Sequence, residues 1–167
     1  MIDTPKLAHE TVDYWVVFTQ GTHFISRVLK PGFSHVYVIT HDKYNWITLD
    51  PQRLKLAVTI EPYAISTHLP AELMLADSHI LHIKMDKLDT NPQFGLFGLT
   101  HCVTYVRYIL GLRLPTLTPF SLYNKLLMLS PRDMLKHGIQ SIRLIAGSEE
   151  EQHVNGKQAF TSRQKQS

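Results

Sequence analysis

The 167-residue chain contains one cysteine, Cys102, so no disulfide can form within it. A disulfide framework is thereby excluded, and the count fits a reducing compartment. No stretch approaches the ~20 consecutive apolar residues of a membrane span, which argues against a membrane protein. The N-terminus, Met1 to Lys6, lacks the charged and apolar regions of a secretory signal, so export would need another route. Charge is also sparse. Charged residues make up 19% of the chain and the formal net charge is +3, with the basic residues scattered rather than run together. Nucleic-acid binding is not suggested by that pattern.

What is present is an apolar fraction of 44%, with 2 Trp, 7 Tyr and 7 Phe. That is enough for one globular domain with its own core, which we place at residues 1–147. From Ser148 onward, the acidic run Glu149 to Glu151 and a Gln/Lys/Ser-rich end cannot bury apolar area, so residues 148–167 are expected to be a disordered tail.

Along the chain, residues 12–18 are β-branched and aromatic and predict a strand. A short helix is expected over 23–29, stopped by Pro31-Gly32. Residues 34–40 and 45–50 predict a β-hairpin closed by Pro51. Residues 54–60 and 79–85 predict further strands, with His82 and Lys84 on one face and Leu81, Ile83 and Met85 on the other. The segment 70–76 reads as one or two helical turns, and 89–98 as a loop. A helix from Cys102 carries Val103, Val106, Ile109 and Leu110 on one face, with Gly111 as its stop. Thr118-Pro119 and Ser130-Pro131 each combine a cap with proline in the first turn, predicting two more helices. Residues 139–145 predict a last strand. The expected class is α+β, a β-rich N-terminal half followed by a helical segment that bears the cysteine.

A lone cysteine is ordinarily a small buried hydrophobe. Cys102, however, stands where a loop turns into a helix, and unpaired N–H groups with the positive end of the macrodipole favour thiolate there. A cysteine nucleophile needs an imidazole within reach and a polar group to fix the ring's tautomer. His35 is the preferred imidazole, since a polar ring inside a strand needs a partner or a purpose. A turn centred between Asp42 and Lys43 would place His35 opposite Asp50 and Tyr37 opposite Thr48. Asp50 is then the orienter, with Thr48 or Asn45 in reserve, although Asp-Pro after a strand also simply begins turns. The Cys102 N–H and a neighbouring loop amide would receive an oxyanion, with side-chain help from Thr100 or His101.

Ten histidines invite a metal hypothesis built on His79, His82, His35 and Cys102. His79 and His82 point to opposite sides of a strand, and the spacing matches no zinc pattern, so neither metal nor cofactor is expected. Tyr14-Trp15 and Phe94 to Phe97 are read as core rather than as a substrate groove.

Several short motifs occur together: Pro31-Gly32-Phe33-Ser34-His35-Val36, Trp46 to Pro51, Thr100-His101-Cys102-Val103, Leu110-Gly111 and Thr118 to Tyr123. From about Val12 to Leu127 the chain resembles small proteins of tailed bacteriophages that look like the permuted branch of the papain-like, NlpC-type peptidase superfamily. That branch includes lecithin retinol acyltransferase-like enzymes. The resemblance implies a papain-like α+β fold, an antiparallel sheet packed on the helix bearing the cysteine, with the histidine on a strand before it. By matching position it implies Cys102 as nucleophile, His35 as base and Asp50 as the third member. One departure is His101, where permuted relatives often carry a small or polar residue.

The activity so implied is a cysteine-dependent hydrolase of amide bonds directed at peptidoglycan or a peptide, made in the host cytoplasm and carried in the virion or used in lysis. The alternative, from another class, is a structural or adaptor protein of the portal or tail region that binds other virion proteins and keeps the scaffold without catalysis. An acyltransferase would need an apolar channel beside the cysteine.

Overall fold

The computed structural model describes residues 10–21, 29–52, 55–62, 78–87 and 101–146. Residues 23–28 of the helix expected over 23–29, the segment 70–76, the loop 89–98 with Phe94 to Phe97, Thr100 and the tail from Ser148 lie outside them. In chain order the elements are β1 (Thr11–Thr19), β2 (His35–His41), β3 (Asn45–Gln52), β4 (Lys55–Pro62), β5 (His79–Asp86), α1 (Cys102–Ile109), α2 (Pro119–Leu127), α3 (Pro131–Lys136) and β6 (Ile139–Ala146). The fold is α+β. All six strands form one antiparallel sheet in the order β4-β3-β2-β1-β5-β6.

Alternation along the strands sorts the apolar residues onto two faces. One face presents Val16, Phe18, Val36, Val38, Leu81, Ile83 and Met85, and it is covered by Val103, Val106, Leu122, Tyr123 and Leu126 of α1 and α2. The other face presents Val17, Ile39, Trp46 and Ile80, with Trp15 and Tyr37 packed beside them. Tyr14 packs on the first core and Trp15 on the second, one residue apart and on opposite sides.

The helices begin and end where short-range chemistry dictates. Thr118 and Ser121 form a reciprocal capping box with Pro119 in the first turn of α2, and Ser130 caps α3 ahead of Pro131. Gly111 and Gly138 follow α1 and α3 with φ of +60° and +65°, a conformation that a Cβ would strain. The start of α1 differs, because His101 occupies its N-cap without a capping hydrogen bond. The N–H groups of the first turn of α1 are therefore left for other partners.

The β2–β3 hairpin departs from the expected register. The observed pairs include Val38 with Leu49, Ile39 with Thr48 and His41 with Trp46, so Thr48 stands opposite Ile39 and not Tyr37. The turn is centred on Lys43-Tyr44, one residue later than expected. Asp42 sets it, for its carboxylate accepts the backbone N–H groups of Tyr44 (3.0 Å) and Asn45 (2.7 Å). Only Lys43 of the two central residues has positive φ, +82°, the sign pattern of a type II′ turn. Every expected partner of β3 is thereby displaced by two positions along β2. A displacement of two, unlike one, leaves each side chain on its original face.

Candidate functional site

Because parity survives the shift, His35 and Asp50 still share a face and still meet. In the observed register they are diagonal neighbours, within reach of long side chains. The His35 Nε2 lies 2.6 Å from Asp50 Oδ1, with the two side chains 24% and 33% exposed. Gln52 approaches the other carboxylate oxygen at 3.5 Å. Tyr37 stacks beside His35, with ring centroids 6.1 Å apart. Burial, aided by the Asp50 carboxylate, holds the Tyr37 hydroxyl above its ordinary range, so it stays a phenol. With Nε2 engaged by Asp50, His35 Nδ1 makes no hydrogen bond among the described residues.

Cys102 comes to this region from the helix side. It packs at the margin of the core that α1 covers, and α1 rests on β2 and β3. Asp42 donates its N–H to the Asn45 carbonyl (3.2 Å), so by antiparallel alternation the N–H groups of Thr40, Val38 and Val36 also point toward β3. Extending the ladder would set Val36 opposite Pro51, which has no N–H to return, and the pairing stops at Val38 with Leu49. The backbone N–H groups of Val36, Val103 and Cys102 lie toward the thiol and favour its ionised form. The thiol thus abuts the peptide group that joins His35 to Val36.

Two features run against the expectation of an activated thiolate. Burial pushes the Cys102 thiol above its ordinary range; the three N–H groups oppose this without reversing it, and the Asp50 carboxylate adds to the rise. Desolvation here outweighs the helix N-terminus. Nor does any hydrogen bond join the thiol to the His35 ring among the described residues. His35 follows Tyr37 onto the face opposite the helices, and Cys102 approaches from the helical face.

Of the other expected site residues, His101 stands at the start of α1 with its ring partly desolvated, and its Nε2 lies 3.3 Å from Thr104 Oγ1. Burial first, and Arg107 second, lower its pKa, favouring a neutral ring. Thr48 shares Asp50's face, since side chains alternate along β3. Asn45 is committed to Asp42 at the turn. His79 and His82 do separate to opposite faces. His79 is buried and stacks on Phe33 at 4.2 Å, and among the described residues no three metal-ligating side chains converge.

A second imidazole–carboxylate pair went unread in the sequence. His82 Nε2 lies 2.7 Å from Asp13 Oδ1 across the β1–β5 pair, on the same face as His35, and Trp15 stacks on the His82 ring at 4.9 Å. A carboxylate inside the apolar run of β1 was the available signal. Residues 69 apart in sequence have no local cue that joins them.

No helix among the described residues is long and apolar enough to cross a membrane. No family model, curated protein or solved structure matches the chain.

Proposed function

We propose that the chain is a cysteine-dependent hydrolase of amide bonds on a papain-like, permuted NlpC-type scaffold, directed at peptidoglycan and associated with a phage. The observation that carries this reading is the His35–Asp50 contact at 2.6 Å, together with a thiol at the first residue of a helix that rests on β2 and β3. Asp50 takes Nε2, which leaves Nδ1, the nitrogen nearer the strand backbone, to accept the thiol proton. Because the resting sulfur is protonated, proton transfer to His35 accompanies attack on the substrate carbonyl carbon.

The C–S bond forms as the carbonyl π pair moves onto oxygen, where the N–H groups at the start of α1 stabilise the charge. Collapse expels the amine, which takes the proton from His35 and leaves an acyl-thioester. Water then attacks that carbonyl, giving its proton to His35, and the released thiolate recovers a proton from the imidazolium. Carboxylic acid and free thiol are the products.

Purified cell wall and a small model amide test the reading through amine release. Cys102→Ala is expected to abolish release while leaving the far-ultraviolet spectrum unchanged. Equal digestion by Cys102→Ala and parent would refute the reading.

A second reading has its own support in the raised thiol and the missing thiol–imidazole hydrogen bond: a virion structural or adaptor protein that keeps the scaffold without catalysis. Absence of amine release from the parent, together with fixed stoichiometry at a portal or tail, would favour it.

A further inference from the structure

Away from Cys102, past the C-terminal end of α1, a cleft of about 610 Å³ is lined by Gly111, Arg113, Leu114, Lys125, Leu129, Asp133, Lys136 and His137. Its volume is that of small-ligand sites. Its charge is lopsided. Three permanent cations, Arg113, Lys125 and Lys136, face one carboxylate. That carboxylate is already engaged, accepting from Ser130 Oγ at 2.7 Å and from Lys136 Nζ at 2.9 Å, and these contacts hold Asp133 below the ordinary carboxylate range. It stays ionised and committed. Arg113 and Lys125 have no carboxylate partner within 4 Å among the described residues, and both are exposed.

Lys125 and Lys136 stand in the last turns of α2 and α3, where a cation complements the carbonyl end of a helix. Capping accounts for each lysine singly. It does not account for Arg113, which lies in the extended segment after α1, nor for three cations drawn onto one concave surface with Leu114 and Leu129 beside them.

We propose that this cleft binds a phosphate-bearing ligand, with Arg113 and Lys125 as the principal contacts, Lys136 in support, and Leu114 and Leu129 receiving the adjoining apolar part. Arginine offers paired N–H donors that match phosphate oxygens, and lysine adds a point charge. The phosphate can belong to a free small molecule or to a lipid headgroup. Met128, 77% exposed and one turn from Lys125, could meet an acyl region in the second case. The site does not involve Cys102, so it stands or falls separately from the proposed hydrolase.

The experiment uses the full chain in low salt, with inorganic pyrophosphate followed by calorimetry, and phosphatidylcholine vesicles with or without phosphatidylglycerol followed by co-sedimentation. Arg113→Gln with Lys125→Gln is the test variant, and Lys55→Gln on β4 removes an exposed cation elsewhere. Pyrophosphate binding that falls at least about tenfold in the double variant but not in Lys55→Gln supports the site and a free-phosphate ligand. Sedimentation that requires phosphatidylglycerol and is lost in the double variant supports the headgroup. Binding of neither probe, or equal losses in the double variant and Lys55→Gln, overturns the proposal. Circular dichroism of both variants, and Lys136→Gln as a milder change, separate lost binding from lost folding.

Discussion

Removing the His35–Asp50 contact tests whether the imidazole–carboxylate pair is held in solution. The nitrogen and oxygen are 2.6 Å apart and the side chains 24% and 33% exposed, so the pair is neither fully buried nor free in water. Hydrogen bonds to charged groups contribute about 1.5–3 kcal/mol when sheltered. Exposed ion pairs contribute about 0.2–1 kcal/mol. Partial exposure sets the expected coupling between them, at about 1–2 kcal/mol. A double-mutant cycle of His35→Ala, Asp50→Ala and the combination, read by urea unfolding at constant pH, isolates that term from the packing each side chain loses. In a chain of this size 1 kcal/mol corresponds to about 2–4 °C in Tm, so Asp50→Ala is expected to melt roughly 2–8 °C lower. Gln52→Ala, which removes only a 3.5 Å exposed contact, should leave stability near the parent's. A coupling below about 0.3 kcal/mol would refute the reasoning, since it would mean that the contact between the two side chains is not held.

Alkylation of Cys102 against pH is expected to show a midpoint above that of an ordinary thiol, because burial raises it, and Asp50→Asn should lower the midpoint by removing a nearby negative charge. A midpoint below the ordinary thiol range in the parent would contradict the burial argument. The sign carries to stability: the folded state holds this proton more tightly than the unfolded chain, so the thiol's contribution is full below the unfolded pKa and is lost as pH rises through the folded value. Cys102→Ala should lessen that alkaline loss in urea titrations above neutral pH. Lys43→Gly should raise stability by about 0.5–1 kcal/mol, since φ of +82° strains a side-chain-bearing residue by about 1–2 kcal/mol while glycine returns part of the gain as backbone entropy. An unchanged or lower Tm in Lys43→Gly would show that the turn carries no such strain.

Some of the fold and site was legible because its causes are local. Alternation in residues 79–85 separated His82 from Leu81, Ile83 and Met85, and the strand and burial follow it. Val103 and Val106 announced the buried stripe of α1, Thr118-Pro119 and Ser130-Pro131 announced two helix starts, and Gly111 and Gly138 take the left-handed conformations that end α1 and α3. Each depends on residues within one or two turns of each other, so the chain's own stereochemistry is sufficient. The pairing of His35 with Asp50 was also anticipated, but from a turn centred one residue too early. It survives because a two-residue displacement conserves the face.

The sequence by itself determined the strands and helices of the described residues, their apolar faces and the presence of one thiol at a helix start. Tertiary structure alone decided the strand order, the β2–β3 register, the meeting of Asp13 with His82, the approach of Cys102 to the Val36 N–H from the helical side, and the convergence of Arg113, Lys125 and Lys136. The physical reason is the range of the forces involved. Caps, turns and alternation act through neighbouring peptide groups, whereas register, desolvation and charge convergence depend on which distant segments exclude water from one another. The thiol shows the division most plainly: its helix-start position favoured a thiolate, and the burial conferred by packing reversed the preference.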